Sequence, residues 1–160
     1  MGFTVLTRNI LLVVLATLLL SACATKVKKI DSQIQGDVYT GTETVEYLAK
    51  GVPDRVFFAT NESVLTTRSR DTLRKQAAWM RNNSSLNFTI EGHADERGTR
   101  EYNLALGERR ANAAKDYLMT YGVSGNRLSV ISYGKERPVN SGSNPLAWSQ
   151  NRRSVTVKAN

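Results

Sequence analysis

A sandwich of helices on a β-sheet, in the α/β or α+β class, is what the sequence predicts from Asp54 onwards. Three observations lead there. "LNFTIEG" alternates Leu86, Phe88 and Ile90 with Asn87, Thr89 and Glu91, the period-two signature of a half-buried strand. "LTTRSRDTLRKQAAWMRNN" spaces Leu73, Ala77 and Met80 along one helical face. Strand-like and helix-like stretches then alternate to the C-terminus, and helices layered on a sheet bury both kinds of apolar face.

The elements follow in order. "RVFF", Arg55 to Phe58, is a short apolar strand. The first helix has Thr66 as its N-cap, because a threonine hydroxyl can accept from an unpaired backbone amide of the first turn. After the "LNFTIEG" strand, a second helix runs from about Arg100 to Tyr121. Thr99 is placed to cap it, Gly98 relaxes the preceding loop, and Gly122 ends it. "RLSVISYG" is a third strand. "NPLAWSQNR" predicts a short helix with Pro145 in its first turn, and "SVTVKA" alternates as a final strand. There is no internal repeat and no low-complexity tract.

The segment before this domain reads differently. Arg8 precedes the unbroken apolar run "ILLVVLATLLL", Ile10 to Leu20, which is shorter than the roughly 20 residues that span a bilayer core. Small residues Ser21 and Ala22 close it, so residues 1–22 are expected to be a secretory signal peptide. The single cysteine, Cys23, follows at once. A lone thiol is unusual in an exported chain, but "LSAC" looks like the lipobox of bacterial lipoproteins, whose cysteine becomes the acylated N-terminus. Several acyl chains anchor stably, at about 0.8 kcal/mol per buried methylene. Ala24 in the next position, rather than aspartate, favours sorting to the outer membrane by resemblance to Gram-negative lipoproteins. Residues 23–53 are then the lipidated N-terminus and a flexible tether, in which "VEYLAK" could form one helical turn. The domain itself is expected over residues 54–160.

Composition narrows the classes of partner. The chain has 160 residues, 41% hydrophobic and 22% charged, enough for one modest domain with extensions. A formal net charge of +8 admits an acidic polymer or surface as partner. The basic residues are interspersed with acids, and no basic block with interleaved aromatics offers a stacking platform, so nucleic acid is not expected. His93 is the only histidine, and neither a cysteine nor a second histidine stands at ligand spacing, so no metal site is expected. No nucleophile sits in a recognisable setting either, which argues against an enzyme, and no cofactor is implied.

The chemistry concentrates in "EGHADERGTREYNLALGERRA", Glu91 to Ala111. On a helical wheel Arg110 falls among Tyr102, Leu106, Ala113, Tyr117 and Tyr121, so a permanent charge faces the body of the protein and needs an anion or a cleft. Gly107 interrupts the helix at about 1 kcal/mol relative to alanine, which marks close approach of backbone or ligand. Asp95 is the acid that the strand-to-helix loop holds nearest. Two readings are open: Asp95 and Arg110 pair with each other, or they stand apart and share a zwitterionic ligand through charge-assisted hydrogen bonds.

"GHADERGTREYNLALGERRA", together with "NRR" at Asn151 to Arg153, resembles the OmpA-like peptidoglycan-binding domain family over about Arg55 to Lys158. The resemblance implies two helices against a four-stranded mixed sheet. It also implies non-covalent binding of the peptide stem of peptidoglycan through meso-diaminopimelate. Carried over, Asp95 takes the ammonium and Arg110 the carboxylate, and Arg97 is a second contact to the stem. Leu106 packs beside the ligand, and Thr60 and Asn61 form the opposite lip. Many family members carry aspartate where this chain has Asn61. Asn103, Asn151, Arg152 and Arg153 are supporting candidates that could equally be scaffold.

A lipobox and tether ahead of such a domain resemble the lipoprotein branch of the family. That implies an outer-membrane anchor, a domain in the periplasm, and a part in envelope integrity and cell division within the Tol system. The implied protein partner is the β-propeller protein TolB. The alternative reading is a module whose main task is to bind such a partner.

Overall fold

In the computed structural model, residues 37–159 are described. The apolar run, Cys23 and the first part of the expected tether lie outside them. The elements, in chain order, are β1 (Tyr47–Ala49), β2 (Val52–Pro53), β3 (Arg55–Phe57), α1 (Thr67–Asn82), β4 (Phe88–His93), α2 (Arg100–Thr120), β5 (Leu128–Gly134), α3 (Pro145–Asn151) and β6 (Arg153–Lys158), with a single 3-10 turn at Gly125–Arg127 before β5.

The main sheet is four-stranded in the order β3-β6-β4-β5. β6 runs antiparallel to both β3 and β4, whereas β4 and β5 are parallel and joined by the α2 crossover. The expected mixed sheet under helices is therefore what the chain forms, with α3 added as a third, shorter helix. Phe88, Ile90 and Gly92 of β4 face the helices; Thr89, Glu91 and His93 point to the opposite side, as alternation dictates.

Between sheet and helices lie Val56, Phe58, Leu73, Ala77, Met80, Phe88, Ile90, Ala111, Ala114 and Leu118. Burying each of the larger side chains contributes roughly 1.5–3 kcal/mol. The helix termini are as their sequences require. Thr66 accepts from Ser69 N and Thr99 from Tyr102 N, which satisfies one free amide at each start. Asn144 does the same for α3, with Pro145 in its first turn. Gly122, at φ 81°, turns the chain away from α2.

Three expectations change. The compact unit begins at Asp37 rather than Asp54. Within the stretch read as tether, β1 and β2 form an antiparallel pair, and Tyr39 and Leu48 are buried. "VEYLAK" thus carries a strand and not a helical turn. The buried stripe of α2 is also rotated from the wheel: Asn103, Leu106, Gly107, Arg110, Ala111, Ala114 and Leu118 face inward, while Tyr102 and Tyr121 are exposed. The reason is Gly107. A methyl there would run into Ser132 Oγ and lie 2.9 Å from Gly92 O, and one on Gly92 would run into the Gly107 carbonyl. Two facing glycines let helix and strand backbones touch, and that contact sets the rotation of α2.

Candidate functional site

Because β6 is antiparallel to its two neighbours, the end of β3, the start of β6 and the end of β4 meet at one edge of the sheet. Three loops converge there: the Ala59–Glu62 turn after β3, the Ala94–Thr99 loop between β4 and α2, and Asn151–Arg152 ahead of β6. Asp37 joins them from the N-terminal side.

Asp95 stands at the centre. Arg97 grips it with a fork, Nη2 donating to Oδ2 at 2.6 Å and Nε to Oδ1 at 3.1 Å, while the Arg97 backbone N also donates to Oδ1 at 3.1 Å. Arg152 Nη1 adds a longer bond to Oδ2 at 3.4 Å. Burial alone would raise the Asp95 carboxyl, but the Arg97 hydrogen bonds and the charges of Arg97 and Arg152 outweigh it. The carboxyl is held below the usual carboxylate range. The Asp95 side chain is 9% exposed and that of Arg97 is 42% exposed, so the pair opens to solvent on the arginine side.

The loop carrying them is fixed from outside. Asn103 Nδ2 donates to Arg97 O at 2.8 Å, and Lys135 Nζ to Gly98 O at 2.8 Å. Glu96 accepts from Trp148 Nε1 at 2.9 Å, and the Trp148 ring lies 4.3 Å under the Arg97 guanidinium. Asn103 thus braces the loop. Asn151 braces the chain beside it, its side chain bonding Val139 N, Asn140 N and Asn140 O.

Arg110 does not pair with Asp95. Fully buried, it donates from Nε to Glu62 O (2.8 Å), from Nη1 to His93 O (2.8 Å) and from Nη2 to Ala59 O (3.0 Å). It staples both ends of the Ala59–Glu62 turn to the end of β4. Burial first, then the charge of Arg152, lowers its pKa to about 9, which leaves it charged at neutral pH. Among the described residues no carboxylate pairs with it, so its charge lies under the site without surfacing in it. Three of its five N–H groups go to these carbonyls, which fixes the guanidinium beneath the rim.

The turn it staples carries Thr60 and Asn61 at the lip opposite Asp95. Arg97 Nη2 reaches Thr60 Oγ1 at 3.3 Å across the gap. Asn61 is exposed at φ 57°, a left-handed conformation that asparagine tolerates better than most residues. Leu106 is buried on α2 one turn before Arg110. Arg152, 2% exposed, links everything: Nε donates to Phe58 O at 3.1 Å and Nη2 to Asp37 O at 2.6 Å and to Asp37 Oδ1 at 3.0 Å. Arg153 lies on the other face of the sheet, bonded to Arg137 O at 3.2 Å.

Of the residues predicted from sequence, Asp95, Arg97, Thr60 and Arg152 come together around one opening, with Asn61 on its lip. Arg110, Leu106 and Asn103 support it from beneath. Sequence reading missed Asp37, Glu96 and Trp148. His93 is buried with neither ring nitrogen in hydrogen-bonding geometry among the described residues; Glu91 Oε2 is 3.6 Å from its Nε2. Among the described residues no group of three or more His, Cys, Asp or Glu is arranged to hold a metal.

Residues 57–152 match the family model described as the OmpA family. A peptidoglycan-associated lipoprotein from Rhizobium meliloti is 44% identical over 158 residues, covering 96% of this chain and 89% of that one. One from Brucella melitensis is 55% identical over 106 residues, covering 66% and 63% respectively. Among solved structures, the peptidoglycan-associated lipoprotein from Burkholderia pseudomallei superposes with a TM-score of 0.65 at 35% identity, covering 66% of this chain and 90% of that one. The C-terminal domain of Helicobacter pylori MotB, at 19% identity and a TM-score of 0.62, shares the fold.

Proposed function

The chain belongs to the OmpA family, and on that premise we propose that it is an outer-membrane lipoprotein that binds peptidoglycan non-covalently through the meso-diaminopimelate of the stem peptide. One observation carries the reading: the carboxylate of Asp95 is held between two guanidiniums, Arg97 and Arg152, and Arg97 is 42% exposed to solvent. A side-chain end that bears an ammonium and a carboxylate on one carbon needs both signs of charge within a few ångströms, which Asp95, Arg97 and Arg152 supply. The ammonium goes to Asp95. Arg97 would exchange its fork on Asp95 for the ligand carboxylate, which also lies near Arg152 and the Thr60 amide. Arg110 holds the two lips at the right separation and adds a buried positive charge beneath them.

The names of the relatives support the lipoprotein assignment. Residues 1–22 would be removed as a signal peptide, and acylated Cys23 would anchor the periplasmic domain to the outer membrane. By the same kinship the chain acts in the Tol-Pal system, supporting envelope integrity and cell division, with TolB as a protein partner. The α3 helix favours that addition: it presents Trp148 to the site and leaves Leu146 58% exposed, so a protein docked on α3 would meet the same rim.

The test is co-sedimentation with diaminopimelate-type sacculi, using Asp95→Asn as the variant and free diaminopimelate as competitor. Losing one side of a desolvated charge pair costs about 2–5 kcal/mol, so binding by Asp95→Asn should fall more than about tenfold. Equal pelleting of both proteins, indifferent to the competitor, would show only adhesion of a basic chain to an acidic polymer.

A further inference from the structure

The donors best placed to receive a ligand carboxylate are already occupied, by a carboxylate of the chain itself. Thr60 N donates to Asp37 Oδ2 at 2.8 Å, and Arg152 Nη2 donates to Asp37 Oδ1 at 3.0 Å. Burial would raise the Asp37 carboxyl, yet the Thr60 hydrogen bonds and the charges of Arg152 and Arg97 hold it below its ordinary value. Asp37 and Asp95 thus share one buried guanidinium, Arg152, from opposite ends of its fork. They differ in exposure. The Asp95 side chain is 9% exposed and that of Asp37 is 52% exposed, so Asp37 is the one of the two that solvent can reach.

We propose that Asp37 is an affinity-setting residue of this site: its carboxylate stands in for the carboxylate of the zwitterionic ligand and must leave when the ligand binds. The inference rests on the peptidoglycan reading of the site. Exchange requires little of the fold. Tyr39, two residues on, is 7% exposed and packs edge-on against Phe57 with ring centroids 4.8 Å apart, so the segment is pinned just behind Asp37. A rotation of the chain ahead of Tyr39 releases the Thr60 amide and Arg152 Nη2 while the domain stays intact. What replaces Asp37 offers the same two oxygens, and its ammonium brings a contact to Asp95 that Asp37 cannot make. A ligand with a carboxylate alone gains only an even exchange; one with both charges gains more. The Asp37 cover therefore sharpens selection for a zwitterion as well as lowering apparent affinity by the fraction of time that it is closed.

The experiment is calorimetric titration of the full chain, purified in detergent, with a stem tripeptide ending in meso-diaminopimelate. Asp37→Asn keeps the shape but removes the charge, and Asp116→Asn, near the end of α2, matches its change in net charge. Asp37→Asn should bind about three- to tenfold tighter than wild type, with Asp116→Asn unchanged. Equal affinity of Asp37→Asn and wild type would overturn the cover and leave the site standing. Weaker binding by Asp37→Asn would overturn it too, making Asp37 a direct ligand contact. If neither wild type nor Asp37→Asn bound the tripeptide, the reading of the site itself would fall, and the cover with it.

Discussion

The buried imidazole of His93 makes stability depend on pH in a way that one substitution can isolate. Burial first, then the charges of Arg153, Arg55 and Arg137, lowers its pKa from 6.5 to about 3. The unfolded chain therefore binds a proton on His93 between those values while the folded chain does not. Where the unfolded state holds more protons, stability rises with pH, so it must fall as pH drops through this window. From pH 7 to pH 5 the cost follows from the unfolded pKa alone, because the folded imidazole stays neutral throughout. It amounts to about 2 kcal/mol. Urea unfolding at pH 7, 6 and 5 reads this directly, as a fall in midpoint of roughly 1–2 M at the slopes usual for such domains. His93→Gln keeps a polar group in the pocket and cannot take up the proton, so its midpoint should move by about 2 kcal/mol less over the same range. The depressed Asp95 and Asp37 carboxyls lose their contribution only below their ordinary pKa of 3.8, outside the window. Glu91, raised by burial, takes up its proton more readily in the folded chain and offsets part of the fall in both proteins. Parallel pH profiles for the two proteins would refute the argument. So would an NMR titration of the chain's only histidine showing a folded pKa near 6.5.

Two further outcomes follow from the geometry. Gly92→Ala puts a methyl into the Gly107 carbonyl, and backbone cannot yield as a side chain can; the loss should be about 3 kcal/mol or more and lower the Tm by roughly 10 °C. A Tm within about 2 °C of wild type would mean that α2 is free to lift from the sheet. Arg110→Lys keeps the charge but cannot reach three carbonyls at once, so buried acceptors are stranded at about 1–3 kcal/mol each. Urea unfolding should show that loss, and sacculus binding should weaken although Asp95 is untouched; wild-type binding by this variant would deny Arg110 its positioning role.

Much of the fold is legible because local signals agree with the global arrangement. The Phe88–Ile90 alternation, the Thr66 and Thr99 caps and the Pro145 start each state a local requirement that the tertiary structure keeps. The β1–β2 pair escaped because a three-residue and a two-residue strand are too short for any periodicity to show. The rotation of α2 escaped because it is set by the absence of side chains at Gly92 and Gly107, and a hydrophobic wheel weighs only the side chains that are present. At the site, residue types pointed to Asp95 and Arg97, which the structure brings together as an ion pair. The bonds of Arg110 to Ala59 O, Glu62 O and His93 O did not show, because backbone carbonyls leave no mark in the sequence. Asp37 was hidden for a related reason: its partners, Thr60 N and Arg152, lie 23 and 115 positions away.

The meeting of Asp37 with Thr60 and Arg152 also decides how the domain would carry load. On the proposed function, one attachment is the chain running back to Cys23 and the other is the wall ligand at Asp95. Both leave the domain at the same corner. Ligand binding has by then released Asp37 from Arg152, so tension between membrane and wall reaches the domain at the packing of Tyr39 on Phe57, and that contact is the first to yield under a pull. A short link of this kind lengthens before the rest of the hydrophobic core feels any strain, so the folded domain survives to rebind.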